Sequence, residues 1–205
     1  MSRTIFVGDV HGCYDELMLL IGKIKPEKSD RLIFVGDLIN KGPRPGDVVD
    51  FVAENGFSCL MGNHEDHYVR LHQNHPRYIA LRKSLSDFCH QWILNLPLYI
   101  EEKNFIAVHA GIDARLPLTQ NTRETLLTVR GIEDGGVKIP WYQLYHGSKT
   151  IIYGHWAKQG LTRYQNTLGL DSGCVYGGSL SAYLLEADQI LQVPAKRIYE
   201  KAGDS

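Results

Sequence analysis

The sequence is short of the features that would send it to a membrane, to nucleic acid or to an oxidising compartment. No apolar stretch approaches the roughly 20 residues that a spanning helix needs. The chain enters a strand pattern within a few residues of Met1, which leaves no room for a signal peptide. A formal net charge of -1 gives no overall electrostatic footprint for nucleic acid or an anionic membrane, so any positive potential has to be local. Cysteine is sparse: Cys13, Cys59, Cys89 and Cys174 lie far apart and form no CxxC pair, which excludes a zinc ribbon or a dithiol redox motif and reads as reduced, structural thiols. These absences describe a cytoplasmic protein. Composition is otherwise ordinary, with 43% hydrophobic and 22% charged residues, which argues against disorder. Two hundred and five residues suit a single domain over 1–205.

What the sequence does hold is a series of short motifs, each placed where a β-rich run ends. Thr4–Val7 precedes Gly8-Asp9-Val10-His11-Gly12, Leu32–Val35 precedes Gly36-Asp37, and Ser58–Met61 precedes Gly62-Asn63-His64-Glu65. Further on, Phe105–Val108 leads into His109-Ala110, and Ile151–Tyr153 into Gly154-His155-Trp156. Strand ends are where ligands of open α/β sheets gather. Two adjacent divalent cations need several ligands each and a bridging anionic oxygen to screen their repulsion, and Asp37 suits that bridge. Asp9 and His11, two apart, can face one ion. Asn63, His109 and His155 offer an amide oxygen and two imidazoles to the other. Such a mixed oxygen and nitrogen set suits Mn, Fe or Zn better than Mg or Ca. A two-metal site clamps the attacking and leaving oxygens of an in-line displacement at phosphorus, so the expected chemistry is phosphoester or phosphoanhydride hydrolysis.

Between the motifs the chain alternates strand and helix. Leu17, Leu20, Ile21 and Ile24 recur at helical spacing before Pro26 stops the helix, and Pro45 to Asn55 repeats the pattern before Gly56. Glu65 to about Leu94 is helical with a break at Pro76, and its histidines His67, His72, His75 and His90 read as a solvated face, His67 excepted for its nearness to the GNHE motif. This cap-like region, about 65–95, and a loop of about 113–147 are where specificity is expected. Thr122–Val129 reads as a helix. Beyond Gly154, Leu168–Asp171, Ser181–Glu186 and Ile190–Pro194 read as strands of a second sheet packed on the first, with a polar, fraying tail after Pro194.

In order and type, GDVHG, GDLINKGP, GNHE, VHAGI and YGHW resemble the metallophosphoesterase superfamily, in its phosphoprotein-phosphatase-type branch. The resemblance runs from residue 4 to about Glu186. The late segment Leu170–Leu180 resembles the subgroup holding bacterial symmetrical diadenosine tetraphosphate hydrolases and related small serine/threonine phosphatases. The resemblance implies an α/β (α+β) four-layer sandwich, two mixed β-sheets flanked by helices, with a dinuclear site at strand ends. It implies Asp9, His11 and Asp37 as ligands of one metal and Asp37, Asn63, His109 and His155 as ligands of the second. The pair would be Mn, with Fe, Zn or Co as substitutes; from its own position just after the GDVHG loop, Cys13 would lie near it. His64 resembles the general acid, Lys41 and Arg130 resemble phosphate contacts, and Tyr176 resembles a tyrosine set over the metals. Attack would come from a metal-bridging hydroxide.

Two departures from the branch bear on substrate. Protein phosphatases of this kind read GDxxDRG, whereas Asn40 and Lys41 stand here for the second Asp and the Arg. A carboxylate at 40 would stabilise the His64 imidazolium far more than an amide does, unless another carboxylate such as Asp66 orients the ring. Lysine gives up the bidentate fork and leaves a point charge. A weaker acid suits a nucleotide phosphate leaving group, stable as an anion, better than a serine alkoxide. The expectation is therefore a nucleoside polyphosphate hydrolase acting on diadenosine tetraphosphate-like anhydrides. A serine/threonine or dual-specificity phosphatase of phosphoproteins is the alternative, and a non-catalytic scaffold a second one.

Overall fold

The computed structural model describes residues 2–201. Strands β1 (Thr4–Val7), β2 (Arg31–Phe34) and β3 (Ser58–Cys59) run parallel, joined by helices α1 (Tyr14–Ile24) and α2 (Pro45–Glu54). Three short helices follow, α3 (Asn63–Leu71), α4 (Pro76–Ser84) and α5 (Asp87–Leu94). Next come β4 (Tyr99–Glu101), β5 (Phe105–Val108), α6 (Arg123–Thr128) and the hairpin β6 (Gly131–Asp134)–β7 (Val137–Pro140). The chain closes with β8 (Thr150–Tyr153), β9 (Thr162–Tyr164), β10 (Thr167–Gly169), β11 (Ser179–Leu184) and β12 (Gln189–Pro194). One sheet has the order β12-β11-β1-β2-β3 and the other β4-β5-β8-β10-β9. Each is mixed and contains three parallel strands, β1, β2, β3 in one and β5, β8, β10 in the other. The carboxyl ends of these two sets carry the motifs.

Side-chain alternation along the strands builds the layers. Phe6, Ile33 and Val35 point between the sheets and meet Phe105, Ala107, Ile152 and Leu168. The Phe6 and Phe105 rings pack edge to face at 5.0 Å. Their neighbours Ile5, Val7, Leu32 and Phe34 face the other way, against Leu17 and Leu20 of α1 and Val48, Val49 and Val52 of α2. On the second sheet Ile106, Val108, Ile151 and Tyr153 face outward under Leu126 of α6 and the Trp141–Tyr142 turn. Each of these large side chains, withdrawn from water, stabilises the fold by about 1.5–3 kcal/mol. Local signals set the helix ends: Pro45 opens α2, Ser86 caps α5 by accepting the Cys89 N–H at 3.1 Å, and Thr122 caps α6 by accepting the Thr125 N–H at 3.1 Å.

The structure corrects several expectations. The late strands do not make a sheet of their own: β11 pairs antiparallel with β1 and extends the first sheet with β12, while β10 joins β8 in the second. Pairing follows which apolar face each strand must bury, which sequence order does not reveal. The segment after Pro194 is docked as far as it is described. Tyr199 donates its hydroxyl to Glu16 Oε1 at 2.7 Å, and Lys196 donates its N–H to the same oxygen at 2.9 Å. The final residues, 202–205, lie outside the described part. His90 is buried rather than solvated, its Nδ1 2.8 Å from the Tyr68 hydroxyl. His72, partly exposed, and His75, exposed, keep to the solvated face, and His67, set apart for its nearness to the GNHE motif, is exposed there as well.

Candidate metal centre

The motifs converge at the seam between the sheets. Asp9 and His11 follow β1, Asp37 follows β2, Asn63 opens α3 just after β3, His109 follows β5 and His155 follows β8. His11 Nε2 lies 3.5 Å from Asp37 Oδ2, and His109 Nε2 lies 3.5 Å from Asp37 Oδ1. Asn63 Oδ1 is 3.0 Å from His109 Nε2 and 2.9 Å from His155 Nδ1. The His155 N–H donates to Asp9 Oδ2 at 3.0 Å. Asp37 thus stands between one group containing His11 and another containing His109 and His155, as a bridging carboxylate would. The turns that present these atoms are strained. Five of the eight non-glycine residues with positive φ among the described residues are here: His11, Asp37, Asn40, Lys41 and His155. Glycines let the turns close. A Cβ on Gly154 would fall 2.0 Å from Asp9 Oδ1, and one on Gly62 2.2 Å from Asp37 Oδ1.

A cavity of about 770 Å³ opens over this cluster, with Lys41, Arg130 and Lys158 as its cations and Trp156 and Tyr176 as its aromatic rings. His64 lines it, with Nε2 4.0 Å from Asp37 Oδ2. At the far side of the ring, Asn40 Nδ2 is 2.7 Å from His64 Nδ1 and 2.9 Å from the Tyr78 hydroxyl. Asp66 does not reach the ring. Its carboxylate is paired with Arg70 and Arg123, the latter at 2.8 Å, and ties α3 to α6 instead. The expectation that Asp66 orients His64 is therefore set aside. Lys41 Nζ lies 3.2 Å from His11 Nε2 and 5.1 Å from the centre of the Tyr176 ring.

The sequence profile of calcineurin-like phosphoesterases matches residues 2–190. The chain belongs to this family. A symmetrical bis(5'-nucleosyl)-tetraphosphatase from Methylobacillus flagellatus is 28% identical, over 93% of this chain and 95% of its own. An asymmetrical bis(5'-nucleosyl)-tetraphosphatase from Anoxybacillus flavithermus is also 28% identical, over 94% of each chain. A solved structure provisionally described as a diadenosine tetraphosphatase superimposes with a TM-score of 0.87 at 32% identity, covering 95% of this chain and 94% of that one.

Calcineurin-like phosphoesterases are metal-dependent hydrolases of phosphate esters and anhydrides, and the donor atoms of this member fit divalent ions. Two of the candidate imidazoles turn their outer nitrogen to a backbone carbonyl: His11 Nδ1 lies 3.0 Å from the Ile39 oxygen and His109 Nδ1 2.8 Å from the Val35 oxygen. That fixes the tautomer that turns a lone pair inward, the usual second interaction of a metal-bound histidine. Burial pushes His11 down to about 3 and His155 down to about 3, so both are neutral, the ligand form, at pH 7. Asp9 Oδ1 is buried without a hydrogen-bond partner, and burial with the charges of Asp171 and Asp37 holds Asp9 well above the ordinary carboxyl range. Burial acts the same way on Asp37, but the surrounding His109, His64 and His11 outweigh it and hold it below that range. Buried carboxylates facing inward lone pairs are a site that a cation completes.

Two acidic residues of this phosphoesterase went unassigned in the sequence reading. Glu65, fully buried, accepts the N–H groups of Asp37 at 2.8 Å, Leu38 at 2.9 Å, Ile39 at 3.2 Å and Gly62 at 3.0 Å. Burial and the Asp37 charge push it up to about 8 against those donors. Its place three residues after Gly62, at the start of α3, is the signal that marks it as a helix-opening residue. Asp171, buried in the cavity wall after β10, is pushed up to about 6, first by burial. It lies in the Leu170–Leu180 segment that carries the resemblance, but no role was attached to it there.

Proposed function

We propose that this phosphoesterase hydrolyses nucleoside polyphosphate anhydrides such as diadenosine tetraphosphate, in the cytoplasm, with two divalent ions, Mn by preference. Asp9, His11 and Asp37 hold one ion, and Asp37, Asn63, His109 and His155 the other. When bound, the ions supply an activated water and screen the charge of the phosphates. Lys41 and Arg130 take the non-bridging phosphate oxygens, Tyr176 backs the Lys41 ammonium, and His64 presents Nε2 to the departing oxygen. The chain acts as one domain over 1–205; of the two stretches expected to set specificity, 113–147 gives the cavity wall Arg130 and 65–95 gives it no residue, the rest of that side coming from His155 to Gly178.

The observation that carries the substrate is Asn40 beside His64. With the amide N–H donating to Nδ1 the ring's own proton sits on Nε2, facing the cavity, and in either orientation of the amide no charge is there to stabilise an imidazolium. Burial pushes His64 down to about 4. At neutral pH the ring therefore offers a hydrogen bond rather than a readily transferred proton. A phosphate leaving group accepts that help, whereas an alkoxide needs the proton itself. The tetraphosphatase names of the relatives point the same way.

The test is the ratio of kcat/KM for diadenosine tetraphosphate and for a phosphoserine peptide on one Mn-loaded preparation, with product chromatography. A dinucleotide preference above a hundredfold is expected, and a peptide preference would make the chain a protein phosphatase. ADP alone marks symmetrical cleavage, the expected outcome, and ATP with AMP marks asymmetrical cleavage.

A further inference from the structure

The phosphate-binding groups leave open how the cavity recognises what the phosphates are attached to. Its two aromatic rings are not equivalent. Tyr176 has the Lys41 ammonium over its ring, so it is already engaged in a cation–π contact. Trp156 has no cation over it among the described residues. It follows the candidate ligand His155 directly and lines the same cavity, half-buried. Its backbone is held by a tight turn, the N–H donating to the Gly154 carbonyl at 2.8 Å and the carbonyl accepting from Gln159 N–H at 2.9 Å. Its indole leans on Tyr142 at 6.3 Å between centres, and Tyr142 stacks on Tyr153 at 6.4 Å and meets Tyr164 at 5.5 Å. The indole is thus the member of an aromatic cluster that also lines the cavity, and its neighbours in that cluster hold its position.

We propose that Trp156 is a specificity-determining residue, the platform on which a nucleobase of the substrate stacks while its phosphates reach the metal centre. The inference rests on the nucleoside polyphosphate reading and extends it to the base. A flat π surface next to the phosphate groups binds any nucleobase face without reading its edge. A pre-positioned indole does so with little ordering cost. Phosphoserine or an inorganic polyphosphate has no ring to place there.

The experiment compares diadenosine tetraphosphate with inorganic tetraphosphate on Mn-loaded native protein, W156F and W156L. Leucine keeps apolar bulk without a π face, and phenylalanine keeps the face. The expected result for W156L is a KM for the dinucleotide raised about tenfold, equivalent to about 1.4 kcal/mol. Its ratio of kcat/KM, dinucleotide over tetraphosphate, falls by the same factor, and W156F recovers most of the loss. Quenching of tryptophan fluorescence by ADP, present in the native protein and lost in W156F, is the binding counterpart. An unchanged ratio in W156L, or equal recovery by leucine and phenylalanine, overturns the platform. Native protein that cleaves tetraphosphate but not the dinucleotide sinks the nucleotide reading itself, and the platform with it.

Discussion

The amide nitrogen of Asn40 lies 2.7 Å from Nδ1 of His64, and the same nitrogen lies 2.9 Å from the hydroxyl of Tyr78 on α4. One cap-region residue thus helps to fix the side chain that fixes the candidate acid. Asn40→Asp is expected to turn that contact into a charge-assisted one, raise the His64 pKa and favour the imidazolium. The ratio of kcat/KM for a phosphomonoester over diadenosine tetraphosphate should rise about tenfold. Equal changes on both substrates would show that position 40 does not set leaving-group preference.

Metal binding should be linked to protons. Asp171 is pushed up to about 6 by burial, and Asp9 is raised well above its ordinary value. A carboxyl whose folded pKa is raised favours folding fully below its unfolded value, near 3.8, and that contribution is lost as pH rises through about 6. Those two carboxyls therefore take stability from the metal-free protein as pH rises from about 4 to 7, while His11, His64 and His155, whose folded values are lowered, return it over the same window as pH rises toward 6.5. Added Mn takes the place of those protons, so the rise in Tm on adding it should be larger at pH 7.5 than at pH 5. A gain that shrinks with pH would contradict this, and scanning calorimetry with and without chelator decides it.

Glu65→Gln is nearly the same shape but replaces an acceptor oxygen with an NH2 that meets N–H donors. Leaving two of the four backbone N–H groups unpaired in the interior costs about 1–3 kcal/mol for each lost partner. The loop bearing Asp37 should loosen with it. A fall in the denaturant midpoint, with metal affinity reduced tenfold or more, is the expected pair of results from urea titration and Mn binding. Native affinity in a destabilised variant would reduce Glu65 to a purely structural part.

Two glycine substitutions should diverge. Gly154→Ala drives a methyl to within 2.0 Å of Asp9 Oδ1, so activity should drop more than a hundredfold with loss of bound metal. Gly22→Ala, on α1, meets nothing within 4 Å and should raise stability by about 0.5–1 kcal/mol through helix propensity, with activity unchanged. Thermal melts and metal analysis on both variants make the comparison.

How much of this was readable in the sequence depends on whether a signal was local. Asp9, His11, Asp37, Asn63, His109 and His155 each follow a short apolar run, and a strand that ends at a glycine or polar turn can be read without knowing its partners. Helix α2 was readable for the same reason, from Pro45 at its start to Gly56 beyond its end. The pairing of β11 with β1 was not readable, because it joins residues nearly the whole chain apart through shared burial. Strand β4, three residues long, left too few alternations to see. The hairpin β6–β7 was overlooked although Gly135-Gly136 between Ile132-Glu133-Asp134 and Val137-Lys138-Ile139 is a turn signal between alternating runs. Tyr78 and Trp156 gain their roles from what lies across space, Asn40 and the cavity, and no spacing encodes that.

The His109 ring reaches from the second sheet to the Val35 carbonyl of the first, and the His155 N–H reaches to Asp9 in the same direction. On the proposed ligand set, the ions would join Asp9, His11, Asp37 and Asn63, all within the first 63 residues, to two histidines from the other sheet. The centre is then a rivet as well as a reaction site. Chelation would leave the two sheets held by the apolar layer between them and by the few polar contacts that cross it, His109 to Val35, His155 to Asp9 and Arg31 to Glu102. Amide exchange in β5 and β8 would then separate in rate from that in β1 and β2, a mechanical signature of chemistry placed on a seam.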